Sequence, residues 1–169
     1  MGATAATRPA SLARGEDERA LALARRGLEI ARAAGDSLSH VASLFTLATV
    51  ARRRGDHEGA VGAFAEALRL SVDVGDRSNA AYCLEGVAEV AAEQSRPARA
   101  ARLWGAAAAL LATFDPELYP HTPDRARRDA AVAAARARLG EGPFAEAWAA
   151  GERLTLEQAV ALAAEMSEG

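Results

Sequence analysis

The chain has 169 residues, half of them hydrophobic but only 5% aromatic, and its formal net charge is −3. All 20 basic residues are arginine, and Cys83 is the only cysteine. The slightly acidic balance argues against nucleic-acid binding as a main activity, because that activity usually needs a basic face. A single cysteine excludes an internal disulfide and fits a reducing cytoplasm.

The alanine-rich composition predicts an all-helical fold. Alanine is the best helix former, and Leu, Arg and Glu follow it closely. No apolar run approaches the ~20 residues needed to cross a bilayer, and the N-terminal stretch lacks the apolar segment of a secretory signal. We therefore expect a cytoplasmic protein that does not contact a membrane. Residues 1–15 are expected to be a disordered or remnant N-terminal segment.

Regularly spaced Gly-Asp pairs mark the predicted turns, at Gly35-Asp36, Gly55-Asp56 and Gly75-Asp76. Glycine can adopt the left-handed conformation that ends one helix, and aspartate can then cap the next. At the following turn Ser95-Arg96-Pro97 replaces the pair, and proline is tolerated at a first helical position. These signals predict helices over 16–34, 38–54, 57–74, 77–94 and 97–112.

Similar residues recur at an offset of 40 positions in two series. One series contains Ala20, Ala60 and Ala100; Ala24, Phe64 and Trp104; and Gly27, Ala67 and Ala107. The other contains Leu44 and Leu84, Leu47 and Val87, Ala48 and Ala88, and Ala51 and Ala91. Both have the i, i+3, i+4, i+7 spacing of one helical face. The period predicts repeated helical hairpins over 16–112, and a helical bundle with accidental periodicity is the alternative.

The C-terminal part lacks this period. Residues 113–123 are predicted to be a proline-rich loop, and residues 124–169 a helical cap. Within the cap, Gly140 ends the first helix, Phe144 and Trp148 lie on a short second helix, and Thr155 caps the last one.

The hairpins resemble the tetratricopeptide repeat, because small residues alternate with a large one where two helices meet. The match covers Leu44–Leu68 and Leu84–Ala108, although the unit of 40 residues exceeds the usual ~34. The resemblance implies an all-α solenoid of about two and a half repeats.

The segments "ARAARLWGAAAALL" and "ARARLGEGPFAEAWAAGERLTLEQAVALAAE" are similar to the C-terminal region of large actinobacterial-type regulators of the LuxR/signalling-ATPase (MalT-like) family. In that family an ATPase is joined to tetratricopeptide repeats, and the resemblance covers roughly residues 36–166. It implies a sensor or regulatory arm of a transcription regulator. The sequence has no G-x-x-x-x-G-K-[ST] phosphate loop and no recognisable helix-turn-helix after Met166.

A binding groove is predicted from helical phase. If Leu44, Leu47, Ala48 and Ala51 face the partner helix, another set of residues on the same helix points towards a groove, and one repeat later a matching set follows. The predicted groove consists of Phe45, Thr49, Arg52, Arg53, Tyr82, Glu85 and Glu89. Exposed rings with basic residues on one side and acidic residues on the other would suit a peptide or a partner helix. Alternatively, the arginines only complement the C-terminal helix dipole.

Residues that could perform chemistry are scarce. His40 and His57 have no set of partners for a zinc site, and Cys83 is expected to be a packed small residue. Asp115, Tyr119 and His121 share the proline-rich loop and could in principle perform acid–base work, but a linker is the favoured interpretation. We expect no catalytic residue, no metal and no cofactor, and hence no enzyme.

Two functions from different classes remain. The first is a non-catalytic module for protein–protein or intramolecular interaction, without direct nucleic-acid contact. The alternative is a small-molecule-binding helical module that uses the groove or the region of Trp104 and Trp148.

The N-terminal end suggests a homodimer. Counting back one period, the core positions fall on polar residues, and Pro9 would interrupt a helix there. The apolar strip of the first repeat helix would then lack its cover, so this end would either pair with a second copy of the chain or fray, and pairing is the favoured expectation. This strip comprises Ala20, Leu23, Ala24, Gly27 and Leu28.

Overall fold

A computed structural model describes residues 10–113 and 125–166, with side chains from Arg14 onwards. Over these ranges the chain forms eight α-helices and no strand, so the all-helical prediction is confirmed. None of the described helices is long and apolar enough to cross a membrane. The helices are α1 (Ala10–Ala34), α2 (Ser37–Arg53), α3 (His57–Asp73), α4 (Arg77–Glu93), α5 (Pro97–Leu111), α6 (Arg125–Leu139), α7 (Glu141–Glu152) and α8 (Leu156–Ala164).

The Gly-Asp pairs act as the sequence predicts. Gly35, Gly55 and Gly75 have φ values of 67°, 77° and 73°, in the left-handed region. Each following aspartate caps a helix, because its carboxylate accepts a hydrogen bond from a backbone N–H three residues on. Ser95 takes the same conformation with φ of 62°, and Pro97 opens α5.

The predicted start of the first helix is wrong. The sequence predicted a helix from residue 16 after a disordered segment, whereas α1 begins at Ala10 and contains Gly15. A glycine inside a helix costs only about 1 kcal/mol, so it need not end one. The rest of the predicted N-terminal segment, residues 1–9, lies outside the described residues.

Consecutive helices pack on each other from α1 to α5. Since only two or three residues separate each of these helices from the next, neighbours run in opposite directions. The core lies mainly between α3, α4 and α5, where the largest buried side chains are Phe64 and Trp104, at 1% and 0% exposure. The small residues Ala60, Ala67, Ala88, Ala100 and Ala107 are fully buried beside them.

The C-terminal helices close this core. α7 packs along α5, α8 contacts α3, α4 and α5, and α6 lies against α4, α5 and α7. Thr155 caps α8 in a reciprocal capping box with Gln158, as predicted. The buried face of α8 consists of Ala159, Leu162 and Ala163, and the partly buried Leu156 and Val160 pack against the core beside them. The predicted loop 113–123 lies outside the described residues from residue 114 onwards.

Candidate functional site

All seven residues predicted for the groove line one cavity between α2 and α4. This α2–α4 cavity has a volume of about 230 Å³. Three further residues line it that the sequence did not assign to a groove: Phe64, Gly86 and Arg127. Helical phase therefore identified which side chains of α2 and α4 lie together, although each helix was considered separately.

The floor of the cavity is aromatic. The rings of Phe45 and Phe64 meet edge to face, with centroids 5.4 Å apart and planes at 73°. Position 86 of α4, beside these rings, has room only for glycine, because a Cβ atom on Gly86 would overlap the ring of Phe64. Phe45 and Tyr82 are half-buried, not exposed as expected. They form part of a wall and do not project as isolated rings.

Arg52 crosses the cavity from α2 to α4. Its Nη1 donates to Glu93 Oε1 at 2.8 Å and lies 2.6 Å from Glu89 Oε2. Arg52 retains only 7% exposure. The basic residues lie on the α2 side and the acidic residues on the α4 side, but the two signs already pair with each other across the cavity.

Three successive arginines at the end of α2, the last of them its C-cap Arg54, point to different helices. Arg52 contacts α4, whereas Arg53 pairs with Asp17 and Arg54 Nη2 lies 2.8 Å from Glu18 Oε1, both on α1. Successive residues of a helix differ in direction by about 100°, which explains this divergence. Arg53 still lines the cavity rim, but its guanidinium already has a carboxylate partner.

Glu85 is buried at 6% exposure and pairs with a residue of α6. Its Oε1 lies 2.6 Å from Nε of Arg128. Burial raises the pKa of Glu85, and the nearby Arg128 opposes this effect. Burial also raises the pKa of Glu89, against the opposing charges of Arg52 and Arg127. At both positions burial therefore disfavours the charged form of the carboxylate.

α6 places two arginines over the glutamates of α4. Besides the Arg128–Glu85 pair, Arg127 Nε lies 3.9 Å from Glu89 Oε2, and Arg127 Nη2 lies 4.0 Å from Glu93 Oε1. A second cavity of about 180 Å³ adjoins this contact, with Arg52, Glu89 and Arg127 in its wall as well. Helical phase could not reveal the role of α6, because its position depends on the path of the chain after α5.

The other chemically interesting residues form no constellation among the described residues. His40 Nε2 lies 3.6 Å from Glu66 Oε1, and His57 Nε2 lies 3.3 Å from Glu93 Oε2. Each of these histidines therefore has a carboxylate neighbour that the sequence did not reveal. No group of three His, Cys, Asp or Glu side chains there could hold a metal ion. Asp115, Tyr119 and His121 lie outside the described residues.

Cys83 and the two tryptophans are parts of the packing. Cys83 is fully buried, and burial raises the pKa of its thiol to about 12, which suits a packed residue more than a nucleophile. Trp104 is fully buried, whereas Trp148 is half-buried. The Trp148 ring packs against Phe144, and its Nε1 donates to Glu152 Oε1 at 2.9 Å. Neither indole lines the two cavities described above.

No protein-family model, no curated protein and no solved structure matches the chain. Inference about function therefore rests on the chemistry of the α2–α4 cavity and of the helices around it.

Proposed function

We propose that the chain is a non-catalytic interaction module whose binding face is the α2–α4 cavity. The observation that carries this proposal is that residues from two helices, one repeat apart in the sequence, line a single cavity. Aromatic rings and arginines, both present in this cavity, are residue types that are enriched at protein interfaces. A peptide, or a helix of another domain, would cover the rings and meet the charges.

We also propose that the hairpins form a tetratricopeptide-like solenoid with a C-terminal cap. The regular turns support this proposal. So does the similar burial of two aromatic residues one period apart, since Phe64 and Trp104 are 1% and 0% exposed. Together with the resemblance of the C-terminal segments, this favours the sensor or regulatory arm of a LuxR-type transcription regulator in the cytoplasm. Its partner would then be a protein or another domain of the same regulator.

A small-molecule-binding module is the weaker alternative. Drug-sized ligands occupy pockets of roughly 300–1,000 Å³, and the α2–α4 cavity has about 230 Å³. Its walls carry two carboxylates and three guanidinium groups, which suit an extended polar partner better than a compact apolar ligand.

Pairing of two copies through α1 is proposed as an additional interaction. Much of the strip predicted to lack a cover is in fact covered: Ala24 is 6% exposed, Leu28 packs against the core, and a Cβ atom on Gly27 would meet Ser43. That part of the prediction is wrong. α1 instead leaves Leu23 and Ile30 at 64% and 60% exposure. The two exposed side chains are spaced i, i+7, so they lie on one side of the helix. A second α1 could cover this strip.

The binding face can be tested with peptides selected from a displayed random library against the immobilised chain. Thr49→Arg should abolish their binding, because a long side chain at Thr49 would fill the α2–α4 cavity. Arg53→Glu, at the partly exposed rim, should weaken binding through charge. Because it also removes the pair with Asp17 of α1, its folding is checked together with that of the other variants. Affinities would be measured by surface plasmon resonance.

The matched control is Ala145→Arg, which adds the same side chain at an exposed position of α7. It should leave binding unchanged, and circular dichroism should show that all variants are folded. The proposal fails if selected peptides bind Thr49→Arg and Arg53→Glu as well as they bind the unchanged chain. It also fails if no saturable peptide binding is obtained.

A further inference from the structure

α4 presents three glutamates at intervals of four residues, Glu85, Glu89 and Glu93. Positions four residues apart lie on the same side of a helix, so these side chains form one strip, here called the acidic face. The acidic face borders both cavities, since Glu89 lines each of them. Three carboxylates in a row repel one another unless cations lie close by.

The cations come from two sources. Arg52 of α2 pairs with Glu89 and Glu93 and belongs to the repeat itself. The other two guanidinium groups belong to α6, where Arg128 pairs with Glu85 and Arg127 lies near Glu89 and Glu93. Two adjacent arginines on one helix thus complete the neutralisation of the acidic face.

Ion pairs and a small apolar contact hold α6 in this place. α6 buries only Ala135 among its described residues, whereas α4 buries eleven residues. A few partly buried apolar side chains, including Val132 and Leu139, also touch the core. The contacts of Arg127 are partly exposed and contribute little free energy each. A competing segment would therefore have to replace chiefly the Arg128–Glu85 pair and the small apolar contact.

α6 also fills the space over α2 and α4 incompletely. The two cavities, of about 230 and 180 Å³, share Arg52, Glu89 and Arg127 as a common wall. One of them has the aromatic floor formed by Phe45 and Phe64. A helix with arginines in the same register and a larger apolar side chain beside them would gain contacts that α6 lacks.

We propose that α6 occupies the site of a partner helix. The partner is a helical peptide with two adjacent arginines, which binds the acidic face and displaces α6. This inference rests on the proposed function and specifies the partner. Charge complementarity sets the partner class, because guanidinium groups already occupy the positions facing the three glutamates. An acidic peptide would instead place its carboxylates against those of α4.

The test uses a fluorescein-labelled peptide with the sequence of residues 125–139, added to the full chain and followed by fluorescence anisotropy. A tethered segment competes at an effective concentration in the millimolar range, so the unchanged chain should bind the peptide weakly. Replacing Arg127 and Arg128 together by Ala should weaken the hold of α6 and tighten peptide binding by about tenfold or more. The control replaces Arg25 and Arg26, at exposed positions of α1, by Ala. It should bind the peptide as weakly as the unchanged chain does.

Specificity for the acidic face is tested on the R127A/R128A background. Adding E85Q and E89Q should reduce peptide affinity by about tenfold or more, whereas E146Q and E157Q, which remove the same charge from exposed positions of α7 and α8, should not. A peptide of scrambled sequence and equal charge should bind at least about tenfold more weakly. Equal binding of the scrambled peptide, or indifference to E85Q and E89Q, would overturn the proposal.

Circular dichroism must show that R127A/R128A is folded, and Arg128→Ala alone serves as a milder second variant. Unchanged peptide affinity in both folded variants would refute the role of α6. Library-selected peptides could still bind the unchanged chain and lose their affinity for Thr49→Arg. In that case the proposed binding face would stand, and only the inference that the partner is an arginine-bearing helix would be wrong. The absence of any peptide binding would refute the proposed function as well.

Discussion

Gly105 of α5 and Trp148 of α7 lie so close that a Cβ atom on Gly105 would overlap the Trp148 carbonyl oxygen. Gly151 of α7 is placed in the same way against the carbonyl oxygen of Arg102. The two helices therefore meet backbone against backbone, and this contact joins the repeats to the C-terminal helices.

Gly105→Ala is expected to destabilise the chain by about 1–3 kcal/mol, because the added methyl group cannot be accommodated without moving the backbone of α7. The free energy of unfolding, measured in urea, is the appropriate quantity. The matched control is Gly62→Ala on α3, where a Cβ atom would meet nothing within 4 Å. That substitution should be neutral or stabilise by up to about 1 kcal/mol. If Gly105→Ala were as stable as Gly62→Ala, α5 and α7 would not pack as described.

Trp104→Ala should cost ~3–5 kcal/mol, as large-to-small substitutions of core aromatics do. Trp104 is completely buried, and the 40-residue period of the sequence aligns it with Phe64, which is 1% exposed. Trp148→Ala should cost less, since Trp148 is only half-buried. Urea denaturation of the two variants would compare them, and an unchanged midpoint for Trp104→Ala would contradict the repeat alignment.

Stability should fall as pH rises above about 4.5 because of Glu85 and Glu89. Both carboxyl groups have a pKa raised from 4.5 in the folded chain. Between the unfolded and the folded pKa the folded state binds more protons, so the free energy of unfolding decreases with increasing pH. The lowered pKa values of Asp36 and Asp76 act in a separate window below 3.8, where stability is lost as pH falls.

The measurement is the free energy of unfolding at several pH values between 4.5 and 7. The variant E85Q/E89Q should flatten the slope, whereas E146Q/E157Q should keep the slope of the unchanged chain. Equal slopes in all three proteins would mean that Glu85 and Glu89 are not buried as described.

Self-association through α1 should depend on Leu23 and Ile30. Replacing both by Glu places charges on the exposed apolar strip, so light scattering at high micromolar concentration should show a monomer where the unchanged chain forms a dimer. The control adds two glutamates at exposed Ala145 and Ala161, which should leave the dimer intact. A monomeric unchanged chain would contradict the expected pairing.

The helices and their turns could be predicted from the sequence because the signals are local. Gly35, Gly55 and Gly75 supply left-handed residues, and each following aspartate satisfies an N–H only three positions away. Gly15 lies inside α1 and ends no helix, so the prediction that the first helix begins after Gly15 is wrong. The same locality explains why the residues of the α2–α4 cavity were found: helical phase alone puts Phe45, Thr49 and Arg52 on one side of α2.

Only the tertiary structure decided how those side chains pair. Arg52 donates to Glu93 and is not left to solvent because of where α4 lies. Glu85 pairs with Arg128 and is not left free for a binding partner because of where α6 lies. Nothing in a local pattern encodes the distance between groups on helices that are far apart along the chain. The charges expected on the two sides of an open groove therefore pair with each other, and Arg52 and Glu85 are buried in doing so. Burial of a carboxylate is tolerated only when a cation is packed against it.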